Sequence, residues 1–306
     1  MRVLIVARCK ARGYAPFITE QVEALEQLGV QCHYFGITGK GITGYFRHLR
    51  SLKEAIKDFR PDIIHAHYGL SGLLANFQRK VPVVTTYHGT DINDKRLLAL
   101  SKWAIRLSAF NVFVSPENVM LARPPKDRYA IVPCGINLDD YPPTDKNQAR
   151  TSLGWDQNRH YVLFSGSFDN WIKNAPLAQA AIKQLDRTTL IELKGYSRSQ
   201  VATLMSAADA LVMTSFTEGS PQVIKEAMAC GCPVVSVDVG DVKDLTRGID
   251  GCYIAERTPE SVASCIKQAI EFGKRTEGRK VIEARGLTNE NVAKKLLDIY
   301  NTVIKL

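Results

Sequence analysis

Short apolar runs alternate with helical periodicity along this chain. Runs at Val3–Ala7, Gln31–Gly36, Asp62–Ala66, Val81–Tyr87, Asn111–Val114 and Ala130–Val132 are of strand length, and amphipathic stretches such as Ile18–Leu28 and Tyr45–Phe59 separate them. A second series begins at Tyr161–Phe164 and continues through Leu190–Leu193, Ala210–Met213, Val234–Val237 and Cys252–Ile254. Strands alternating with helices predict parallel sheets covered on both faces. Right-handed crossovers then give an α/β chain of two Rossmann-like halves. The stretch Tyr141–Asp156, rich in Pro, Asp, Asn and Lys and without periodicity, predicts the join between them. Such sheets bind ligands at the C-terminal ends of their strands, so two halves facing one another would form a cleft there.

One segment carries more chemistry than the rest. Glu218-Gly219-Ser220-Pro221-Gln222-Val223-Ile224-Lys225-Glu226, followed by Ala-Met-Ala-Cys-Gly-Cys-Pro, sets two carboxylates around a helix start. Ser220 reads as the N-cap and Pro221 as the first helical residue. Gly231 and Pro233 stop the helix before the strand Val234–Val237. A helix N-terminus presents unpaired N–H groups and partial positive charge, which attract phosphate. Pro221 has no N–H, which leaves Gln222 and Val223 as donors. Glu226 falls about one and a half turns into the helix at ~3.6 residues per turn. Its acceptor-only carboxylate suits the vicinal hydroxyls of a sugar or ribose. An anion and a polyol held together describe a nucleotide-sugar.

With Ser-Phe-Thr before it and Ala-Met-Ala-Cys-Gly-Cys-Pro after it, this segment resembles the Glu-x7-Glu element of the retaining GT-B glycosyltransferases called family 4. Other elements carry the same resemblance. Val83-Val-Thr-Thr-Tyr-His88-Gly89-Thr90-Asp91 is similar to the family's His-Gly-(Ser/Thr)-Asp element, and Val132-Pro-Cys134-Gly-Ile-Asn-Leu-Asp to its Pro-Asn-Gly-Val-Asp, with Cys134 where asparagine is usual. Phe164-Ser-Gly166-Ser167 through Lys173 resembles its Gly-Arg and the lysine that follows about six positions on.

The resemblance implies two Rossmann-like domains facing a cleft: an N-terminal acceptor domain over 1–142, a nucleotide-sugar domain over 143–287, and a last helix over 288–306 packing back on the first. It implies transfer of a hexosyl unit from a UDP-, GDP- or other nucleoside diphosphate sugar to an acceptor hydroxyl, with retention and without a metal or other cofactor. The implied setting is bacterial surface polysaccharide or glycolipid synthesis. Glu218, His88 and Lys173 would be catalytic. Gly13, Gly166, Tyr196, Gly219, Ser220, Pro221, Gln222, Val223 and Glu226 would bind the donor. His67 and Asp91 would stand on the acceptor side. Ser167 occupies the place of the arginine that shares the diphosphate with the lysine. Either a basic residue of the Arg8–Arg12 loop supplies the second cation, or donor handling differs, or activity is lost and the chain only binds nucleotide-sugar.

A rival reading comes from Gly39-Lys40-Gly41-Ile-Thr-Gly44, formally a G-x-G-x-x-G, with Asp62 ~20 residues on as a dinucleotide fingerprint asks. It would make the chain an NAD-dependent oxidoreductase, although it follows the second strand and not the first. No G-x-S-x-G elbow, Walker A loop or metal-binding His/Asp cluster is present in the sequence.

Composition narrows the partners. The chain has 306 residues, 45% hydrophobic and 23% charged, and a net charge of +9. Residues 1–142 hold 19 Lys or Arg against 12 Asp or Glu, a net +7, and the remainder 21 against 19, a net +2. A basic first half points to an anionic partner. Tyr45–Lys57 and Asp94–Arg106, the latter with Trp103, read as basic amphipathic helices that pack on the sheet and also suit an anionic membrane. Nucleic acid is not expected. No apolar run nears the ~20 residues of a spanning helix. The short run at the N-terminus reads as a first strand and not a signal peptide. The seven cysteines are scattered and odd in number, as reduced thiols of a cytoplasmic chain would be.

Overall fold

The computed structural model describes residues 1–11, 13–39 and 41–305. The chain divides into two compact units, Met1–Gly135 with Asn289–Leu306, and Ile136–Thr288. Each is built on one parallel sheet.

Unit 1 contains β1 (Arg2–Arg8), β2 (Gln31–Ile37), β3 (Ile63–His67), β4 (Val83–Tyr87), β5 (Phe110–Phe113) and β6 (Tyr129–Ile131). Their order across the sheet is β2-β1-β3-β4-β5-β6, and every pairing is parallel. Side chains alternate between the faces of a strand, so an apolar run fills two cores at once. Val3, Ile5 and Ala7 pack under the helices Pro16–Gln27 and Asn289–Ile304, while Leu4 and Val6 pack under Leu49–Phe59 and Gly69–Asn76. The C-terminal helix thus returns to unit 1 and lies against Pro16–Gln27. Its Val292, Leu296, Tyr300 and Val303 recur at helical spacing and are buried.

Unit 2 contains β7 (His160–Phe164), β8 (Thr188–Glu192), β9 (Ala210–Met213), β10 (Val234–Val237) and β11 (Cys252–Ala255) in the order β11-β10-β9-β7-β8, all parallel. Leu163, Leu211 and Met213 fill one face, and Val162, Phe164, Ala210 and Val212 the other.

Two expected elements differ. The helix expected over Tyr45–Phe59 is two helices, Gly41–Phe46 and Leu49–Phe59. The break falls where Arg47 Nη2 donates to the Thr38 carbonyl (3.2 Å) and His48 Nε2 meets the same oxygen (3.0 Å), tying the chain back to the end of β2. The stretch Tyr141–Asp156 is not an irregular linker. It holds a helix, Lys146–Ser152, capped by Asp145 and anchored by Lys146 and Arg150 on the buried carboxylate of Asp209 (2.5 and 2.7 Å). Its seven residues are too few for periodicity to show.

The Tyr300 hydroxyl lies 2.5 Å from His65 Nδ1 and is fully buried. Burial holds the phenol far above its usual pKa and pushes His65 down to about 3, so Tyr300 donates to a neutral ring. His65 Nε2–H then donates to Thr86 Oγ1 (2.7 Å). Tyr300→Phe leaves a buried ring nitrogen unpaired and is expected to cost about 1–3 kcal/mol. Urea unfolding checks it, and an unchanged midpoint would contradict the assignment.

Candidate active site

In unit 2 the chain leaves β7 toward β8 and returns to β9 on the other side of β7. Parallel sheets open a crevice at such a reversal, beyond the C-terminal ends of the two strands. The residues that follow β7 and β9 carry the site. After β7, Gly166 precedes a short 3-10 turn, Trp171–Lys173, whose start is capped by the Asn170 side chain. The stem of Lys173 lies across Gly166, where a Cβ would stand 3.1 Å from Lys173 Cγ. Lys173 Nζ donates to Glu218 Oε1 at 2.6 Å, and both side chains are mostly buried. The two loops are pinned to one another. Phe216 N donates to the Ile172 carbonyl (2.9 Å), Thr214 Oγ1 bonds the carbonyls of Lys173 and Asn174 (3.0 and 2.9 Å), and Arg257 donates to the Ser215 carbonyl (2.7 Å). Gly166, Lys173 and Glu218 are therefore brought together.

Glu218 and Gly219 run into the helix Gln222–Ala229. Gly240 packs so tightly here that a Cβ on it would meet the Gly219 carbonyl at 2.6 Å. Ser220 is not the N-cap. Pro221 takes that position in extended conformation, φ −70° and ψ 120°, and the helix starts one residue later than expected. The Ser220 hydroxyl instead sits beside Asp241. Gln222 and Val223 are the first helical residues, half-buried, so their N–H groups lie in the first turn. Glu226 is half-buried one turn further on.

Two cations at this end were not singled out in the sequence. Lys225 is completely buried and donates to Gln222 Oε1 at 2.9 Å. Burial pushes the neighbouring Asp241 up to about 6, against the pull of the Lys225 ammonium. Between Ile224 and Glu226 a lysine reads as solvated, and nothing local signals its burial. Lys194 follows β8 and pairs with Asp169 Oδ2 at 2.7 Å, while Ser167 Oγ donates to the other oxygen of that carboxylate. Lys194 thus stands by the loop that lacks the arginine. A lysine between an apolar strand and Gly195 is the signal that could have found it. Tyr196, in the same loop, is exposed.

Unit 1 has its own cavity of about 630 Å³ beyond β1, β3 and β4, with Arg8, Lys10, Gly13, Tyr45, Tyr68 and Asp91 in its wall. Gly13, at φ +90°, closes a tight turn by exchanging backbone hydrogen bonds with Lys10 (2.9 and 3.0 Å). Arg12 lies outside the described residues, so the suggestion that the loop replaces the missing arginine rests on Arg8 and Lys10. Tyr68 holds φ 73° and ψ 150°, a region nearly confined to glycine, and such strain gathers at ligand sites.

Asp91 stands in the wall of this cavity and is mostly engaged with backbone. Its buried carboxylate accepts the N–H groups of Gly69 (2.9 Å), His88 (3.0 Å) and Gly89 (3.1 Å), and burial raises its pKa to about 6. His67, the other residue expected on the acceptor side, stands behind His88. It is fully buried, its Nδ1 lies 3.0 Å from His88 Nε2, and burial keeps it neutral. His88 is half-buried between Phe17 and Tyr68, with Cys134 Sγ 3.7 Å from its Nδ1.

The dinucleotide reading of Gly39–Gly44 fails on placement. These glycines follow β2, the edge strand, and not the reversal beside β1. Gly44 is needed because a Cβ there would meet the Gly39 backbone at 3.2 Å. Lys40 lies outside the described residues. Among the described residues no three His, Cys, Asp or Glu side chains are grouped to hold a metal ion.

Residues 11–140 match the model of the Glycosyltransferase Family 4 and residues 163–271 that of the Glycosyl transferases group 1. A Bacillus subtilis protein named as a teichuronic acid biosynthesis glycosyltransferase is 26% identical over 252 residues, 71% of this chain and 63% of that one. The D-inositol 3-phosphate glycosyltransferase of Mycobacterium sp. (strain KMS) is 27% identical over 271 residues, 72% of this chain and 62% of its own. The chain thus spans less than two thirds of the length of these curated relatives. Among solved structures, sucrose-phosphate synthase from Thermosynechococcus elongatus superposes with a TM-score of 0.83 at 18% identity, over 99% of each chain. The Anabaena protein HepE in complex with UDP superposes at 0.73 and 17% identity, over 99% of this chain and 100% of that one. With one model matched in each unit and the paired Rossmann-like sheets of the GT-B fold, the chain belongs to the family 4, group 1 glycosyltransferases.

Proposed function

We propose that this chain moves a hexosyl unit from a nucleoside diphosphate sugar to an acceptor hydroxyl, with retention and without a metal. The observation that carries the reading is the Lys173–Glu218 pair at 2.6 Å, laid over Gly166 beside the start of the helix Gln222–Ala229. Lys173 and the N–H groups of Gln222 and Val223 would meet the diphosphate. They would stabilise charge that grows as the bond from the anomeric carbon to the phosphate oxygen breaks. The acceptor oxygen attacks on the face the nucleotide leaves, and its proton passes to the departing phosphate. Glu226 would hold the ribose, Tyr196 the base, and Glu218 and His88 the sugar. Lys194 is the candidate for the cation absent at Ser167. A UDP-sugar is the first donor to test, because the Anabaena protein HepE has been solved with UDP and with UDP-glucose.

The cavity of unit 1 would take the acceptor. Arg8 and Lys10 on its wall suit one that carries an anionic group, as the phosphate named for the mycobacterial relative does. We extend the reading to a sugar or lipid-linked acceptor of surface polysaccharide or glycolipid synthesis, and to work at the cytoplasmic face of a membrane. No helix among the described residues is long and apolar enough to cross one. Ser167 favours a second reading, a relative that binds nucleotide-sugar without turning it over.

Three outcomes are expected. UDP-, GDP-, ADP- or TDP-sugars raise the melting temperature selectively for one base, and no shift with any of them sinks the donor site. Lys173→Ala lowers kcat by about 10²–10³, whereas measurable binding with no wild-type turnover on a broad acceptor panel selects the second reading. Glu226→Ala weakens nucleotide binding by about tenfold or more, as for a lost charged hydrogen bond, and unchanged affinity removes the ribose role.

Asp241 gives a pH test. Its folded pKa is raised from 3.8 to about 6, so its contribution to stability is present below the unfolded pKa and is lost as pH rises through 6. Asp241→Asn does not ionise. Its stability relative to the parent should rise between pH 4 and pH 7 by at most about 3 kcal/mol, from ~1.4 kcal/mol per unit. Parallel pH curves would contradict this.

A further inference from the structure

Two helices of unit 1 carry large apolar side chains on the side that faces water. The chain crosses from β4 to β5 through Lys95–Leu107 and from β5 to β6 through Pro116–Ala122. Both crossovers run the same way along the sheet, and the right-handed rule for parallel crossovers sets both helices on one face. Their inner residues Leu98, Ile105, Val119 and Ala122 share one core cluster with Tyr87 and Phe113. Their outer sides hold Trp103, Leu107, Met120 and Leu121, exposed at 57, 36, 68 and 44%. Trp103 and Leu107 are four residues apart and form one stripe.

This stretch of chain is rich in cations. Residues 94–131 hold seven Lys or Arg against three Asp or Glu, a net +4. Asp94, one of the three acids, is committed to capping the helix, accepting from Arg96 N and Leu97 N. The Arg106 guanidinium lies 5.7 Å from the centre of the Trp103 ring. The helix Leu49–Phe59 shows what a basic helix looks like when it only packs. It buries Leu52 and Ile56, and its exposed residues are Arg50, Ser51, Lys53, Glu54, Lys57 and Asp58.

We propose that the face formed by Lys95–Leu107 and Pro116–Ala122 docks unit 1 on an anionic lipid surface. An indole and a thioether on the outer side enter the boundary between headgroups and acyl chains, and flanking Lys and Arg side chains reach up to the phosphates. A second copy fits less well, because self-association would bring the basic rims together. The proposal rests on the membrane-side localisation given above and not on the transfer chemistry, so either can fail while the other stands.

The test is co-sedimentation of the whole chain with vesicles of phosphatidylcholine alone or mixed with phosphatidylglycerol, without donor. Binding is expected to the mixed vesicles only, and to weaken with added salt. Lys102→Glu with Arg106→Glu should weaken it by about fivefold or more per charge, and Trp103→Ser with Met120→Ser by about tenfold or more. All four side chains are exposed, so an unchanged melting temperature confirms that the variants fold. Equal binding to both vesicles, no binding to either, or binding indifferent to these substitutions overturns the proposal. So does a concentration-dependent dimer, seen by analytical ultracentrifugation, that Trp103→Ser with Met120→Ser dissolves, since the face would then belong to a second copy.

Discussion

A parallel strand buried on both faces can offer chemistry only where it ends. Its side chains are spent on two cores, and its backbone groups on its neighbours. In unit 2 this constraint sends all reactive groups to the loops after β7, β8 and β9. The reversal of strand order beside β7 opens space for a ligand there. Gly166 and Lys173 are far from Glu218 in sequence and close to it in space because β7 and β9 are hydrogen-bonded neighbours. The same constraint acts in unit 1, where the loops after β1, β3 and β4 wall a cavity.

The order of events within the site follows from packing. Gly166 has no side chain, so the Lys173 stem can lie flat over it and deliver the ammonium to Glu218. Thr214 and Arg257 hold the carbonyls of both loops, which fixes the pair without using either charge. Glu218 thereby keeps a cation beside a helix end that already attracts anions. Lys225 and Asp241 lie beneath the same end as a buried counter-charged set.

Much of the architecture was legible because apolar runs of strand length are unambiguous when helices separate them. The eleven strands among the described residues fall where those runs lie, within two residues at their ends. The returning C-terminal helix was legible only through family resemblance, since its stripe of Val292, Leu296, Tyr300 and Val303 does not say what covers it. Lys173 and Glu218 could be read from their motifs. The burial of Lys225 and the Lys194–Asp169 pair could not, because both depend on contacts between segments distant in sequence. The helix starts one residue beyond the place that Ser220 and Pro221 predict, because Ser-Pro suits both an N-cap before a helix and an extended lead-in. His67 and Asp91 stand at strand ends, and each also contacts His88: His67 through its ring nitrogen and Asp91 by accepting the His88 backbone N–H, contacts that the sequence does not show.

The central claim is that the donor sits beyond β7 and β9. Hydrogen–deuterium exchange of the whole chain with and without UDP-glucose, or with whichever nucleotide-sugar stabilises it, tests this most directly. Slowed exchange across 165–174 and 214–224 is the expected result. Unchanged exchange in both segments, or slowing centred on 38–48, would contradict it.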